Sequence, residues 1–229
     1  MYIKTTNSTS TLLKELLAKG EWPEGEGFLY AGYQTAGRGQ TGNRWESEAE
    51  KNLLCSILLP PDKNLYFLNI AVGVALLRVI GDAFTIKWPN DIYYGDKKAA
   101  GILIENAIIG NEIKYSIAGI GLNVNQTEFR SDAPNPISLK QIYGTEYAID
   151  QLMNQVLEAV NKVLNEPEEE VWAYYKSHLY RREGFWPFED QNGTFEARIE
   201  DILPTGEIVL RDQQGKERKY HFKQVRYVL

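Results

Sequence analysis

The 229-residue chain is nearly empty of the residues that build metal centres and disulfides. It has one cysteine, Cys55, and two histidines, His178 and His221. A single cysteine excludes an intrachain disulfide framework and any multi-cysteine zinc site, and two histidines near the C-terminus leave a histidine-based metal centre unsupported. An excess of positive charge is missing too. With 31 Asp and Glu against 25 Lys and Arg, the net charge is −6. That argues against a protein that coats nucleic acid through bulk charge, though not against a local basic loop. No apolar run is long enough for a membrane span, because the most apolar stretch, Leu65 to Phe84, is broken by Asn69, Arg78 and Asp82. The start, MYIKTTNSTST, lacks the apolar segment of a signal peptide. These absences point to a soluble protein of the reducing cytoplasm, without membrane contact. What remains is ordinary globular composition, 43% hydrophobic and 24% charged, in one large domain or one plus a small one.

Periodicity divides the chain into a larger α+β part, residues 1–183, and a small all-β module, 184–229. Leu12, Leu13, Leu16 and Leu17 share one helical face, and Gly20 stops that helix. Phe28 to Tyr33 and Asn52 to Leu59 read as strands. Leu65 to Ile80 is apolar nearly all round, as in a helix covered on both sides. Strands are expected at 83–88, 99–106, 113–120 and 122–125, followed by a polar, proline-containing loop over 126–140. Asp150 reads as an N-cap ahead of the stripe Leu152, Met153, Val156, Leu157, Val160, Val163 and Leu164. Pro167 with Glu168 to Glu170 opens a further helix, with proline and acids in its first turn. After residue 184, alternation from Thr194 to Glu200, turn signals at Pro204-Thr205-Gly206 and Gln214-Gly215, and apolar runs at Ile208 to Leu210 and Tyr220 to Leu229 predict strands.

Two segments carry chemistry. The first is Gly37-Arg38-Gly39-Gln40-Thr41-Gly42, which matches G-x-G-x-x-G. A dinucleotide site would need a helix directly after the loop. Asn43 to Glu48 is polar without an apolar stripe, so that reading is rejected. Arg38 and Arg44 among three glycines instead suit an anion, since glycine lets backbone N–H groups approach and arginine offers forked donors. Trp45 offers an aromatic face for a nucleobase. The second is Lys87-Trp88-Pro89-Asn90-Asp91, at the end of an apolar strand, where Lys87 and Asp91 can project into one cleft. The commoner fate of such residues is a turn with a surface ion pair. Lys97-Lys98-Ala99-Ala100-Gly101 follows, with Lys98 entering a close-packed strand.

Taken together, Ser8-Thr9, Gln34 followed by GRGQTGNRW (37–45), KWPND (87–91), KKAAGILIE (97–105), IAGIGLNVN (117–125) and Ser138-Leu139 resemble the biotin protein ligases, in family order. The resemblance implies a class II synthetase-like catalytic fold, a mixed β-sheet flanked by helices. It also implies a small C-terminal Src-homology-3-like β-barrel. The implied reaction activates biotin with MgATP to biotinyl-5′-AMP and passes the biotinyl group to one lysine of a carboxylase's biotin carboxyl carrier protein. It assigns Lys98, Arg38 and Lys87 to catalysis. Ser8, Thr9, Ser10, Gln34, Arg38, Gly39, Gln40, Lys98 and Gly101 are assigned to biotin, with Ser8, Thr9 and Gln34 on the ureido ring. Arg44, Trp45, Asn90 and Asn123 are assigned to ATP, and Asp91 to Mg²⁺.

Three positions depart from the family pattern: Ser10 where asparagine is expected, Gln40 where many members have arginine, and Asn43 at another basic position. Ser8 and Thr9 could alternatively cap the following helix. Some relatives carry an N-terminal helix-turn-helix and repress transcription. Here the motifs begin at residue 7 or 8, so ligase activity without DNA binding is expected. Homodimerisation stays open. The alternatives are a lipoate–protein ligase, which shares the catalytic fold, and a biotin-binding module without turnover.

Overall fold

The computed structural model describes residues 1–40, 43–61, 63–109, 112–130 and 135–229. Seven strands form one sheet: β1 (Tyr2–Thr6), β2 (Phe28–Gln34), β3 (Leu53–Leu59), β4 (Phe84–Lys87), β5 (Asp91–Tyr94), β6 (Lys97–Ile109) and β7 (Glu112–Leu122), in the order β1-β2-β3-β7-β6-β5-β4. β1 runs parallel to β2 and every other pairing is antiparallel, so the sheet is mixed, as expected.

Alternation along the strands gives the sheet two unlike faces. One is apolar. Leu53, Cys55, Ile57 and Leu59 of β3, Ala100 and Ile102 of β6, and Ala118, Ile120 and Leu122 of β7 join the buried core. Against them lies α2 (Leu65–Ile80), which in turn packs on α4 (Ile149–Leu164) and α5 (Glu168–Ser177). Coverage from both sides explains why α2 is apolar nearly all round; Leu68, Val72, Leu76 and Leu77 are wholly buried. Each such side chain stabilises the fold by about 1.5–3 kcal/mol. The other face carries Gly101, Gly119 and Gly121. Over it packs α1 (Thr9–Lys19), whose Leu13 is wholly buried and which ends at Gly20, φ +71°.

Several expectations are corrected at element ends. Residues 122–125 do not form a separate strand. The chain leaves the sheet at Leu122, and the backbone N–H of Val124 and Asn125 donate to Asn52 Oδ1 and Lys51 O instead. A short helix, α3 (Leu139–Tyr143), starts inside the expected loop and is closed by a Ser138–Gln141 capping box. The N-cap of α4 is Ala148, and Asp150 sits in the first turn, where it still complements the helix dipole. β1 and β5 went unforeseen: β1 is a half-exposed edge strand without apolar alternation, and β5 has four residues.

The C-terminal sheet comprises β8 (Trp186–Asp190), β9 (Gly193–Ile202), β10 (Ile208–Asp212), β11 (Glu217–Tyr220) and β12 (Val225–Tyr227), all antiparallel, in the order β11-β10-β9-β8-β12. The expected closed barrel does not form. The run 220–229 is not one strand; a turn at His221–Gln224, with Lys223 at φ +70°, divides it. That turn leaves β11 and β12 as separate edges; from β11, Tyr220 Oη donates to Asp190 Oδ2 of β8 at 2.7 Å, and Arg218 reaches Asp190 and Asp212 of β10. This sheet shares the main core through Phe188, Ile202, Ile208 and Leu210. It also touches the KWPND turn, where Trp88 Nε1 donates to Gly206 O at 3.0 Å. Among the described residues no helix is long and apolar enough to cross a membrane.

Candidate ligand-binding cleft

The glycines of the second sheet face form the floor of a cleft. Gly101 and Gly121 are register partners on β6 and β7, and Gly119 pairs with Leu103. Their lack of side chains is required by what lies on them. A Cβ at Gly121 would stand 2.4 Å from the Trp45 ring, and one at Gly119 would stand 2.7 Å from Ser10 Oγ. Trp45 thus lies flat on a glycine floor. Its Nε1 is buried without a hydrogen-bond partner, an orphaned donor available to a ligand.

The roof is the basic loop. It folds on itself through Gly39 N to Asn43 O, Asn43 N to Gln40 O and Trp45 N to Gly37 O, with a bridge between Arg38 and Arg44. Thr41 and Gly42 lie outside the described residues. The next regular element is strand β3, not a helix, which agrees with rejecting the dinucleotide reading. Arg38, Gly39, Gln40, Asn43 and Arg44 all line the cleft. Gln40 also faces a neighbouring apolar groove with Leu65, Tyr66, Pro204 and Phe222.

One end of the cleft is neutral. Ser56 Oγ donates to Thr9 Oγ1 at 2.9 Å, and Thr9 Oγ1 and N donate to Gln34 Oε1 at 3.1 and 2.7 Å. Ser10 Oγ lies 2.9 Å from Ser56 Oγ. Because Ser56 has spent its proton on Thr9, Ser10 donates to Ser56. The relay Ser10–Ser56–Thr9–Gln34 therefore has one direction. It leaves lone pairs on Ser10 and both N–H of the Gln34 amide unspent on it. Ser8 occupies the N-cap position of α1, but its side chain makes no capping hydrogen bond. Capping therefore does not account for Ser8. Ser8, Thr9, Ser10 and Ser56 are buried, so unmet hydrogen-bonding capacity here is costly unless a ligand takes it up. Cys55, next to Ser56 on β3, turns to the apolar face, and burial pushes its thiol up to about 12.

The other end is charged. A β-bulge between Ile92 and Tyr93 makes Ala99 the extra residue, which turns Lys98 onto the face of Asp91 and Gly101. Lys98 Nζ then meets Asp91 Oδ1 at 2.7 Å and stands 5.8 Å from the Trp45 ring centre. A second cation lies at the opposite edge, beyond the neutral relay: Arg38 is held in a fork by Glu105, at 3.0 and 2.7 Å, and Lys14 reaches the same carboxylate at 2.8 Å. Asn90 also lines the cleft, its amide donating to Ile102 O.

Two residues assigned from sequence are not among those lining the cleft. Lys87 is paired in register with Asp91, but its ammonium sits over the Tyr93 and Tyr227 rings, 4.8 and 5.1 Å from their centres. It donates to Tyr93 Oη at 3.2 Å, and burial holds its pKa below the usual lysine value, with nearby Asp91 pulling the other way. Asn123 is buried, and its amide donates to Ile137 O at 3.2 Å and Lys98 O at 3.4 Å, tying the end of β7 to the start of β6. Sequence reasoning missed Ser56, Cys55, Leu103, Gly119 and Gly121. The signal for the glycines was present in IAGIG, where alternate residues of a strand are glycine. Ser56 sits inside the apolar run NLLCSILL and gave none.

Asp91 alone does not make a cation cage. Among the described residues no group of three or more His, Cys, Asp or Glu could hold a metal ion. One carboxylate beside a phosphate site does fit Mg²⁺ that arrives on a nucleotide, since Mg²⁺ takes one or two carboxylates and keeps phosphate and water ligands.

A cleft that offers neutral hydrogen-bonding groups at one end and the Lys98 ammonium at the other, on a mixed sheet, suits an elongated small molecule that is polar but uncharged at its head and anionic at its tail. The chain belongs to the biotin/lipoate A/B protein ligase family, whose model matches residues 2–123. A biotin–[acetyl-CoA-carboxylase] ligase of Paracoccus denitrificans is 32% identical over 95% of this chain and 95% of its own length. A bifunctional ligase/repressor of Bacillus spizizenii is 29% identical over 96% of this chain and 71% of its length. Among solved structures, the biotin protein ligase of Aquifex aeolicus in complex with biotin and ATP superposes with a TM-score of 0.80 at 25% identity, covering 100% of this chain and 98% of that one.

Proposed function

We propose that this chain is a biotin–protein ligase of the AMP-forming kind, acting on the biotin carboxyl carrier domain of a biotin-dependent carboxylase. The observation that carries the reading is the polarity split of the cleft. A cyclic urea offers one carbonyl acceptor and two N–H donors. The relay ending on Gln34 and Ser10 presents amide donors and hydroxyl lone pairs to meet them. A lipoyl ring, a dithiolane with no such groups, would leave both unpaired. The valerate tail of biotin would run over the glycine floor towards Lys98.

In the proposed reaction a carboxylate oxygen of biotin attacks the α-phosphorus of ATP, and pyrophosphate leaves with the α–β bridging oxygen. Two anions must approach each other, so cations at the meeting point lower the barrier. Lys98 is placed for this. Its present partner, Asp91, keeps the ammonium fixed until phosphate arrives. Mg²⁺ carried by ATP would neutralise the leaving pyrophosphate, with Asp91 as the protein group nearest to hand. Trp45 would stack on the adenine, and Arg44 and Asn90 would contact the nucleotide. In the second half the amine of the acceptor lysine attacks the acyl carbonyl, and AMP leaves with the phosphoanhydride oxygen. Closure of the 37–45 loop would exclude water from the acyl-adenylate. Lys87 would contribute charge to this end through the field at Asp91, and Asn123 would hold the β6 entry that carries Lys98. Residues 1–183 would do this chemistry, with 184–229 as the smaller unit. Operator binding is not part of the proposed activity, and a sharp, salt-resistant gel shift on a biotin promoter would contradict that.

The test is ATP–pyrophosphate exchange with biotin or with lipoate. Exchange that requires biotin is the expected result; exchange with lipoate alone would move the chain to the other branch of the family, and none with either would leave a binding module.

A further inference from the structure

We propose that Glu105 is a positioning residue that acts through Arg38, holding the guanidinium at the edge of the cleft. This rests on the ligase reading above. On β6, alternation places Gly101, Leu103 and Glu105 on the cleft face. Gly101 and Leu103 line the cleft and Glu105 stands just beyond its end, while Arg38 lines it. The basic loop is closed by its own backbone hydrogen bonds. Among the described residues, side-chain contacts that tie it to the sheet are Trp45 on the glycine floor and Arg38 on Glu105.

The form of that second tie matters. The carboxylate takes both Arg38 terminal nitrogens, at 3.0 and 2.7 Å. Such a fork fixes the plane and direction of the guanidinium, which a single contact does not. It uses two of the five guanidinium N–H donors and leaves three. Lys14 of α1 reaches the same carboxylate at 2.8 Å. Two cations on one anion leave this edge of the cleft positive, so Glu105 orients Arg38 without cancelling its charge. The three side chains are 40% (Arg38), 20% (Glu105) and 31% (Lys14) exposed, and ion pairs this open contribute little to folding. The cluster therefore matters more for the direction of Arg38 than for stability.

The experiment compares Glu105→Gln, Arg38→Ala, the double variant and Lys14→Met with the parent in biotin-dependent ATP–pyrophosphate exchange, with melting curves for each. Glutamine keeps the shape but offers one acceptor and one donor, so the fork breaks. The expected result is a rise of about tenfold in KM for biotin in Glu105→Gln, the scale of one strong charge-assisted hydrogen bond, with kcat less affected. In the Arg38→Ala background the same change should add nothing further, because the residue through which it acts is gone. Lys14→Met should stay within about twofold of the parent. Should Glu105→Gln not fold, Glu105→Asp keeps the charge but is one methylene too short for the fork, and the same KM shift is expected of it. The proposal is overturned by an unchanged KM in the folded variant, by an effect that persists in the Arg38→Ala background, or by Lys14→Met reproducing it. The last would make the carboxylate a tie between α1 and β6. A parent protein without biotin-dependent exchange would overturn the ligase reading and this inference with it; a working parent with any of the other adverse results would overturn this inference alone.

Discussion

The two ends of the cleft are built on opposite terms. At the neutral end, four side chains from α1, β2 and β3 bond to one another in a directed relay, three of them buried and Gln34 half-buried. At the charged end, the cation is held by the protein's own carboxylate, Lys98 by Asp91, and both are partly exposed. A buried neutral network is costly to leave half-made and so comes preassembled. A half-exposed ion pair is cheap to exchange, because water screens both partners. In the proposed reaction, recognition of the head group would fall to the rigid end, and chemistry, which needs charges that can change partners, to the other.

Substitutions at each end should separate these two roles. Lys98→Ala should have the largest effect, a fall in adenylation of about 100- to 1,000-fold, the usual cost of one lost charge-stabilising donor. Pyrophosphate exchange measures it, and the parent rate in this variant would remove Lys98 from the chemistry. Thr9→Val, nearly isosteric, cuts the relay in the middle and leaves Ser56 without its acceptor. It should raise KM for biotin about tenfold and leave KM for ATP nearly unchanged, at a loss of about 1–3 kcal/mol for an unsatisfied buried group. Equal changes in both constants would dissolve the distinction between the ends. Gly121→Ala puts a Cβ 2.4 Å from the Trp45 ring. The ring must lift, so tryptophan emission should shift and KM for ATP should rise several-fold, roughly the loss of a stacking contact of 1–3 kcal/mol.

Gln40→Arg restores a cation on the roof. It should slow release of biotinyl-5′-AMP by about tenfold to a hundredfold, as a hydrogen bond to a charged group would; release at the parent rate would show that position 40 does not hold the adenylate. The smallest effect is expected at Cys55. With its thiol pushed up to about 12 by burial, the thiolate is scarce at pH 8. Alkylation should be negligible in the folded protein at that pH and rapid once it is denatured, with little change on adding biotin.

Much of this was legible in the chain. The amphipathic stripe of α4, the all-round apolar α2 and the alternation of β9 follow from periodicity alone, because one buried face or two must be paid in apolar residues. The glycine loop and the KWPND and KKAAG segments were legible as motifs. Less legible were features that depend on register. Lys87 and Asp91 were expected to project into one cleft; the register pairs them, yet Tyr227 arrives from the C-terminal sheet and takes Lys87 under its ring. Asn123 was assigned to nucleotide, and its amide is spent on two backbone carbonyls. The barrel expected from the family pattern is an open five-stranded sheet, because the turn at His221–Gln224 separates its two edge strands.

The sequence by itself determined the elements, the apolar face and the residue types available for a neutral ligand head and an anionic tail, since these follow from composition and spacing within each segment. Only the tertiary structure decided which of them share a surface. Ser56 joins Thr9 and Gln34 across three elements, the bulge at Ala99 turns Lys98 onto the face of Asp91, and Glu105 meets Arg38 from 67 residues away. Strand register and sheet order set those meetings, and neither is a property of any local stretch of chain.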